Sequence, residues 1–219
     1  MARTKGEKGV LYVAELRGGK QSTKMDHLVC FLPGLLALGY WHGANSAAEL
    51  RMAEELLDTC VGFYKNTPTG LAAEISYLNV EEKGEYGTFD VKDADAHNIL
   101  RPETVESLFL VWAVTKKQRY RDDGWAIFES FRRHCGDCGP KGGYCGIESV
   151  KIDVKEREKD DKIDNKIDNK IDKMESFWTA ETLKYFYCLF EGVDVCGGRV
   201  LGGEWVLNTE AHWLRRVVE

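Results

Sequence analysis

No stretch of about 18 or more consecutive apolar residues occurs in this 219-residue chain, so no membrane-spanning helix is encoded. The N-terminal segment MARTKGEKGVLYVAEL carries charge but lacks the apolar run of a secretory leader. Taken alone, this implies either a cytosolic protein or a chain whose natural beginning lies upstream. Basic residues are in the minority, 30 Lys and Arg against 36 Asp and Glu. That argues against non-specific binding of nucleic acid, which needs a basic face. A second close cysteine pair is also missing. HCGDCGPKGGYC brings Cys135, Cys138 and Cys145 next to His134, whereas structural zinc sites usually show two such pairs. Zinc on these three cysteines therefore stands only as an alternative. Seven cysteines leave at least one unpaired if any bridges form. With 43% hydrophobic residues the chain can fill one sizeable core and has too little disorder bias for a tail protein.

The patterning is mainly helical, with short β-segments. VLYVAEL reads as a strand and RGGK as a turn. From Asp26 a continuous apolar run, DHLVCFLPGLLALG, predicts a helix buried on most faces. Pro33-Gly34 should kink or interrupt it. Ser46 followed by Glu49 predicts a capping box. It opens a helix whose inner stripe is Leu50, Ala53, Leu57, Cys60 and Tyr64. Residues 73–92 predict a β-excursion turning near Gly84. Pro102 opens a third helix with Val105, Leu108, Phe109 and Trp112 inward. RYRDDGWAIFESFRRHC is a fourth, with Tyr120, Ile127, Phe128 and Phe131 apolar. WTAETLKYFYCLFEG is a fifth, closed by Gly192, and EWVLNTEAH is a last short strand. Within 151–173 lies a charged low-complexity insertion built on the repeat Lys-Ile-Asp-Asn. One isoleucine in four drifts around a helix without making an apolar face, which predicts a solvated segment.

The residues that could carry chemistry interrupt these apolar segments. HNILRPETVES places Arg101, Pro102, Glu103 and Glu106 where the third helix opens. Ordinary helix punctuation explains this, since an acid in the first turn is favoured by about 0.3–1 kcal/mol. The same placement also suits chemistry. A carboxylate held ionised by a helix mouth and a nearby arginine can act as a general base or hold a cation's water shell. Asp26-His27 can be a cap or part of a site. Glu181, within FWTAETLKYF, and Glu210 and His212, after VLNT, stand among residues expected in the core. Buried acids are rare unless paired or near a metal. Several in one core suggest a shared polar cavity, and oxygen-rich surroundings favour a hard cation such as calcium over zinc. Cys30 and Cys60 lie in neighbouring predicted helices and could bridge in an oxidising compartment.

Five blocks together resemble one family: KMDHLVCFLPGLLALG at 24–39, TGLAAEI at 69–75, HNILRPETVESLF at 97–109, KMESFWTAETLKYFYCLF at 173–190 and LNTEAH at 207–212. They resemble glycoside hydrolase family 47, the class I α-1,2-mannosidases that trim N-glycans in the endoplasmic reticulum and Golgi. RPETVES and CFLPG look more like the processing enzymes than the degradation-enhancing relatives. The resemblance implies a mainly α fold, an (α/α)7 barrel with short β-hairpins, of which this chain holds only an incomplete part. It also implies calcium-dependent, inverting hydrolysis of α-1,2-linked mannose on high-mannose N-glycans of glycoproteins, in the lumen of the endoplasmic reticulum or Golgi.

Position by position, Glu103 matches the carboxylate assigned as base and Glu74 a further acid of the catalytic set. Thr209 matches the threonine that contacts calcium through its hydroxyl and carbonyl, expected at the floor of the cavity. His27, Arg101, Phe177, Glu181 and Glu210 match the substrate cavity and the calcium's water shell. Cys30 and Cys60 match the family's disulfide. The departures are the repeat insertion, the extra cysteines and AHWLRRVVE, which lacks the proline usual after NTEAH. Residues 1–219 resemble only the later half of the family's catalytic region, without the proposed general acid. The expectation is an α-1,2-mannosidase by family that is inactive as this chain alone. The alternative is a non-catalytic glycan-binding or interaction module.

Overall fold

The computed structural model describes residues 1–4, 9–79, 88–140, 142–153, 169–191 and 193–217. It is mainly helical with small sheets, and contacts divide it into two compact units.

The first unit comprises Met1–His27, Val61–Leu100 and Ala126–Glu175. Here β1 (Ala2–Arg3) pairs antiparallel with β2 (Leu11–Tyr12), and β3 (Leu16–Arg17) with β4 (Lys20–Gln21). The expected strand VLYVAEL is split between two hairpins. RGGK folds the chain back on Leu16, with Gly18 and Gly19 at φ of 57° and 77°, a region that residues with a Cβ rarely adopt. A three-stranded antiparallel sheet follows the order β5 (Lys24–Asp26), β6 (Ile75–Leu78), β7 (Phe89–Asp90). The β-excursion expected over 73–92 is present, and its turn at Gly84 lies outside the described residues. β8 (Gly146–Ile147) pairs with β9 (Lys170–Ile171). Residues 154–168 of the charged insertion are not among those described. At its two ends, buried Asp153 pairs with Arg133 at 3.1 Å, and the Asn169 side chain accepts the Ser149 N–H at 2.9 Å. Met25, Phe63, Tyr64, Leu71 and Phe131 fill the core of this unit.

The second unit comprises Leu28–Cys60, Arg101–Trp125 and Ser176–Glu219. A tight helical turn over His27–Phe31 leads into α1 (Leu32–Trp41). Pro33 falls in the first turn of α1, where its missing N–H costs nothing. It therefore starts the helix and does not kink one. Nor is this segment buried on most faces. Pro33, Gly34 and Ala37 are covered, whereas Leu28, Phe31, Leu35 and Trp41 are each about half exposed. A continuous apolar run does not tell which faces are covered.

α2 (Ala47–Lys65) opens on the expected reciprocal cap. The Ser46 N–H donates to the Glu49 carboxylate at 2.7 Å, and the Glu49 N–H to the Ser46 hydroxyl at 3.4 Å. Its stripe residues Ala53, Leu57, Cys60 and Tyr64 are buried, and Leu50 is half-buried. α3 (Glu103–Thr115) buries Val105, Leu108, Phe109 and Trp112 as its pattern requires. α4 (Arg119–His134) is continuous with Tyr120, Ile127 and Phe131 inward. A wide helical turn, Trp178–Thr182, feeds α5 (Leu183–Glu191). Gly192, expected to close α5, is outside the described residues. After α6 (Gly198–Gly202) the expected single strand is a hairpin, β10 (Trp205–Leu207) with β11 (Trp213–Arg215).

A close backbone approach in this unit brings α1 onto α3. A Cβ on Gly34 would lie 2.9 Å from Leu110 Cδ1 and 3.2 Å from Ser107 Cα. The Gly34 N–H donates to the Ser107 hydroxyl at 2.9 Å, and that hydroxyl donates to the Cys30 carbonyl at 2.5 Å. Cys30 is bonded to Cys60, with Cα atoms 5.9 Å apart, as the family resemblance implied. Gly34→Ala should destabilise the chain by about 1–3 kcal/mol, the usual cost of overpacking. Removing the Cys30–Cys60 bridge should cost about 2–5 kcal/mol. Denaturant titration under oxidising conditions checks both, and unchanged midpoints would refute this account of the α1–α3 contact.

Candidate active site

The N-terminus of α3 is built by a proline followed by acids. Pro102, expected as the first helical residue, occupies the N-cap position, so the helix begins one residue later; its carbonyl accepts the Glu106 N–H at 2.9 Å. Pro102 itself has no side-chain group that could cap this end. Glu103 and Glu106 thus stand in the first turn, where backbone N–H groups lack helical partners and the dipole favours negative charge. Their spacing of three residues puts both on one face.

Glu181, in the turn Trp178–Thr182, and Tyr185, on α5, bring further polar groups to this mouth. Glu106 is bonded to the Tyr185 side chain. Burial pushes the Glu106 carboxyl up to about 7; the charges of Glu103 and Glu181 add to this, while the Tyr185 bond opposes it. Burial likewise pushes Glu181 up to about 7, with help from Glu103 and Glu210 and against the pull of Lys184. The Tyr185 hydroxyl is also raised, first by burial and then by Glu106 and Glu181. Its ring stacks on Phe109, with centroids 6.4 Å apart. Glu103, Glu106, Glu181 and Glu210 therefore share one electrostatic neighbourhood, although Glu103 and Glu210 are far apart in sequence. Arg101 places its guanidinium 5.7 Å from the centre of the Phe177 ring.

Thr209 and Glu210 lie in the turn between β10 and β11. Both are exposed, and Thr209 sits on an open turn. Asn208 closes the turn: its side-chain oxygen accepts the N–H groups of Glu210 at 3.1 Å and His212 at 2.8 Å. Trp213 belongs to β11 and pairs with Leu207.

The other two candidates belong to the first unit and meet each other there. The His27 N–H donates to the Glu74 carbonyl at 2.9 Å. The His27 ring is buried, with Nε2 2.6 Å from the Tyr64 hydroxyl, so this residue does not present an open imidazole. Glu74 is half-buried and its N–H donates to the His97 carbonyl.

The zinc alternative fails. Cys138 and Cys145 are bonded to each other, and a further bridge joins Cys188 to Cys196. Sulfurs joined in a disulfide are not thiolates for zinc. Cys135 remains as a buried thiol that burial pushes up to about 12, against the pull of Lys170. Among the described residues no group of three or more His, Cys, Asp or Glu is arranged to hold a metal ion directly.

The sequence places Glu106 at the helix mouth without assigning it a role, and it does not single out Tyr185 or Lys184. The three-residue spacing from Glu103 was a usable signal for Glu106. Tyr185 gave none, because it lies within an apolar stripe.

Comparison with known proteins places the chain in a family. Residues 1–216 match the profile of glycosyl hydrolase family 47. The endoplasmic reticulum mannosyl-oligosaccharide 1,2-alpha-mannosidase of Rattus norvegicus is 43% identical over 207 residues, covering 92% of this chain and 28% of that protein. Its namesake in Schizosaccharomyces pombe is 42% identical over 218 residues, covering 92% of this chain and 38% of that protein. The α-1,2-mannosidase from Trichoderma reesei superposes with a TM-score of 0.75 at 26% identity, over 93% of this chain and 41% of that one. The chain thus spans about a quarter to two fifths of the length of these relatives.

The two raised carboxyls set a pH dependence. Both lie above the ordinary value of 4.5, so the folded state prefers their protonated forms. Their contribution is fully present below pH 4.5 and is lost as pH rises through about 7. Glu106→Gln stays neutral, and should exceed the native chain in stability by about 1–3 kcal/mol at pH 7.5. At pH 4.5 the two should be equal. Denaturant titrations with chelator at both pH values check this, and a native chain as stable as the variant at pH 7.5 would refute the crowding.

Proposed function

The chain belongs to glycosyl hydrolase family 47, and from that premise we propose that its second unit carries the base-bearing, cation-binding part of a calcium-dependent, inverting α-1,2-mannosidase site. The observation behind this reading is that Glu103 and Glu106 share the first turn of α3 and act electrostatically with Glu181, on which Glu210, from the turn that bears Thr209, also acts. The substrate is a high-mannose N-glycan of a glycoprotein. The site of action is the lumen of the endoplasmic reticulum, or of the Golgi. Relatives named for that reticulum support this, as do three disulfides, which suit an oxidising compartment.

Glu103 acts as the base that takes a proton from the attacking water. Inversion requires room for that water between base and sugar, and an acid on the leaving oxygen. Arg101 and Phe177 shape the sugar's surroundings, and Glu74 is a second catalytic carboxyl by family resemblance. The donor set suits a hard cation: carboxyls that burial and mutual repulsion raise to about 7 stand next to an exposed threonine turn. Thr209 would hold calcium through its hydroxyl and carbonyl, and Glu106, Glu181 and Glu210 would hold its waters. Bound calcium would secure sugar hydroxyls and order the ring and the water. A nearby positive charge returns Glu106 and Glu181 to carboxylates, so neither is assigned as the general acid. That group is assigned to the part of the family's catalytic region that this chain does not span. The partial coverage of its relatives and the exposed apolar residues of α1 support an incomplete (α/α)7 barrel. The same partial coverage favours a second reading, a non-catalytic glycan-binding or interaction module.

The test is an assay of the chain alone on a glycan with terminal α-1,2-mannose, together with calorimetric titration of calcium. We expect no useful turnover alone. Calcium should bind about tenfold or more tightly at pH 7.5 than at pH 5.5, because binding displaces protons. Hydrolysis should return when the chain is joined to the preceding catalytic segment of a relative, and be lost again with Glu103→Gln. Robust turnover by the chain alone would overturn the partial-site reading. Calcium indifference at both pH values would overturn the cation. Glycan binding without hydrolysis in the joined protein would favour the module.

A further inference from the structure

The turn that bears Thr209 and Glu210 is closed by bonds among its own residues. Asn208 accepts the N–H groups of Glu210 and His212 through its side chain. Its own N–H donates to the His212 carbonyl at 3.1 Å, and the Ala211 N–H donates to the Asn208 carbonyl at 2.9 Å. These bonds fix the shape of the turn but not its place in the unit. The two strands of the hairpin are held from α6: the Arg199 guanidinium lies 5.6 Å from the ring of Trp205, at the base, and 5.5 Å from the ring of Trp213, where β11 leaves the turn. The tip is anchored from α5, where Lys184 Nζ donates to the Ala211 carbonyl at 2.6 Å.

We infer that Lys184 is a positioning residue, which ties the Thr209–Glu210 turn to the helical segment carrying Glu181. Ala211 has φ of 54°, the left-handed region that a residue with a Cβ enters at a cost. Its side chain is fully buried. This conformation aims the Ala211 carbonyl at α5, and a donor on α5 meets it. Lys184 follows Glu181 by three residues, so one short stretch supplies an acid of the cluster and the clamp on its neighbouring turn. The Lys184 side chain is half-buried with its charge felt by Glu181, yet its ammonium takes a neutral carbonyl at bonding distance. A point charge with three donors can lock a backbone oxygen in this way while its field still reaches the nearby carboxylates. The geometry of the clamp is independent of the cation reading, and its purpose, holding Thr209 and Glu210 ready for a hard cation, rests on that reading.

Two measurements on the full chain separate these. Without metal, amide hydrogen exchange at Glu210, Ala211 and His212 should become about tenfold faster in Lys184→Met, while the amides of Trp205–Leu207 stay as in the native chain. Lys184→Arg should restore slow exchange. Calcium titration should then show affinity about 10–100-fold weaker in Lys184→Met, as for other groups that orient metal ligands, with recovery in Lys184→Arg. Unchanged exchange at the turn overturns the clamp whatever calcium does. Faster exchange with unchanged calcium affinity overturns the positioning role. A native chain that binds no calcium overturns the cation reading, and the exchange data still decide the clamp. If Lys184→Met does not fold, Lys184→Gln provides the same comparison.

Discussion

Ser107 has no exposed surface, and its hydroxyl holds two backbone groups of the segment packed against it. It accepts the N–H of Gly34 and donates to the carbonyl of Cys30. Without it a buried donor and a buried acceptor lose their partner, which costs more than a hydrogen bond gains. The approach also depends on Gly34, since any Cβ there would press on Leu110 and on Ser107 itself. Cys30 is carried by the same contact, and its bridge fixes the start of α1 to α2. Ser107 follows Glu106 directly. The turn of α3 that anchors α1 is therefore the turn that presents the acids.

Those acids are placed where like charges and burial both work against ionisation. Elsewhere in the same unit an acid is treated in the opposite way. Burial pushes Glu54 up, but hydrogen bonds from Lys117 and Tyr120 and the charges of Lys117 and Arg119 outweigh it and hold the carboxyl below its ordinary value. Glu54 faces cations, and Glu106 and Glu181 face other acids. A stable fold gains nothing from the second arrangement, and strain of this kind is expected where a site awaits a ligand. The helix mouth and the Tyr185 bond relieve part of it.

Much of the local structure was legible because its causes are local. Ser46 and Glu49 cap each other within one turn, Gly18-Gly19 allow left-handed backbone, and Pro102 followed by acids marks a helix start. The inner stripes of α2, α3 and α4 followed from spacing, because burial of one face imposes the helical period. The Cys30–Cys60 pair followed from the family resemblance. The reading went wrong where a run of apolar residues was taken as burial. α1 leaves Leu35 and Trp41 about half exposed, and Pro33 begins it. At the cysteines of HCGDCGPKGGYC the missing second pair already argued against zinc, and a disulfide takes two of the three sulfurs.

By itself the sequence determined the mainly helical class, the starts and inner faces of α2 and α3, and the blocks by which the family is recognised. Each depends on residues within a few positions of one another, where the backbone fixes the geometry. Only the tertiary structure decided that Tyr185 bonds Glu106, that Lys184 reaches the Ala211 carbonyl, that Cys138 pairs with Cys145, and that Thr209 stands on an open turn. These contacts join segments whose separation in the chain carries no information about direction in space. Their energies also depend on burial and neighbouring charge, which exist only once the segments have packed.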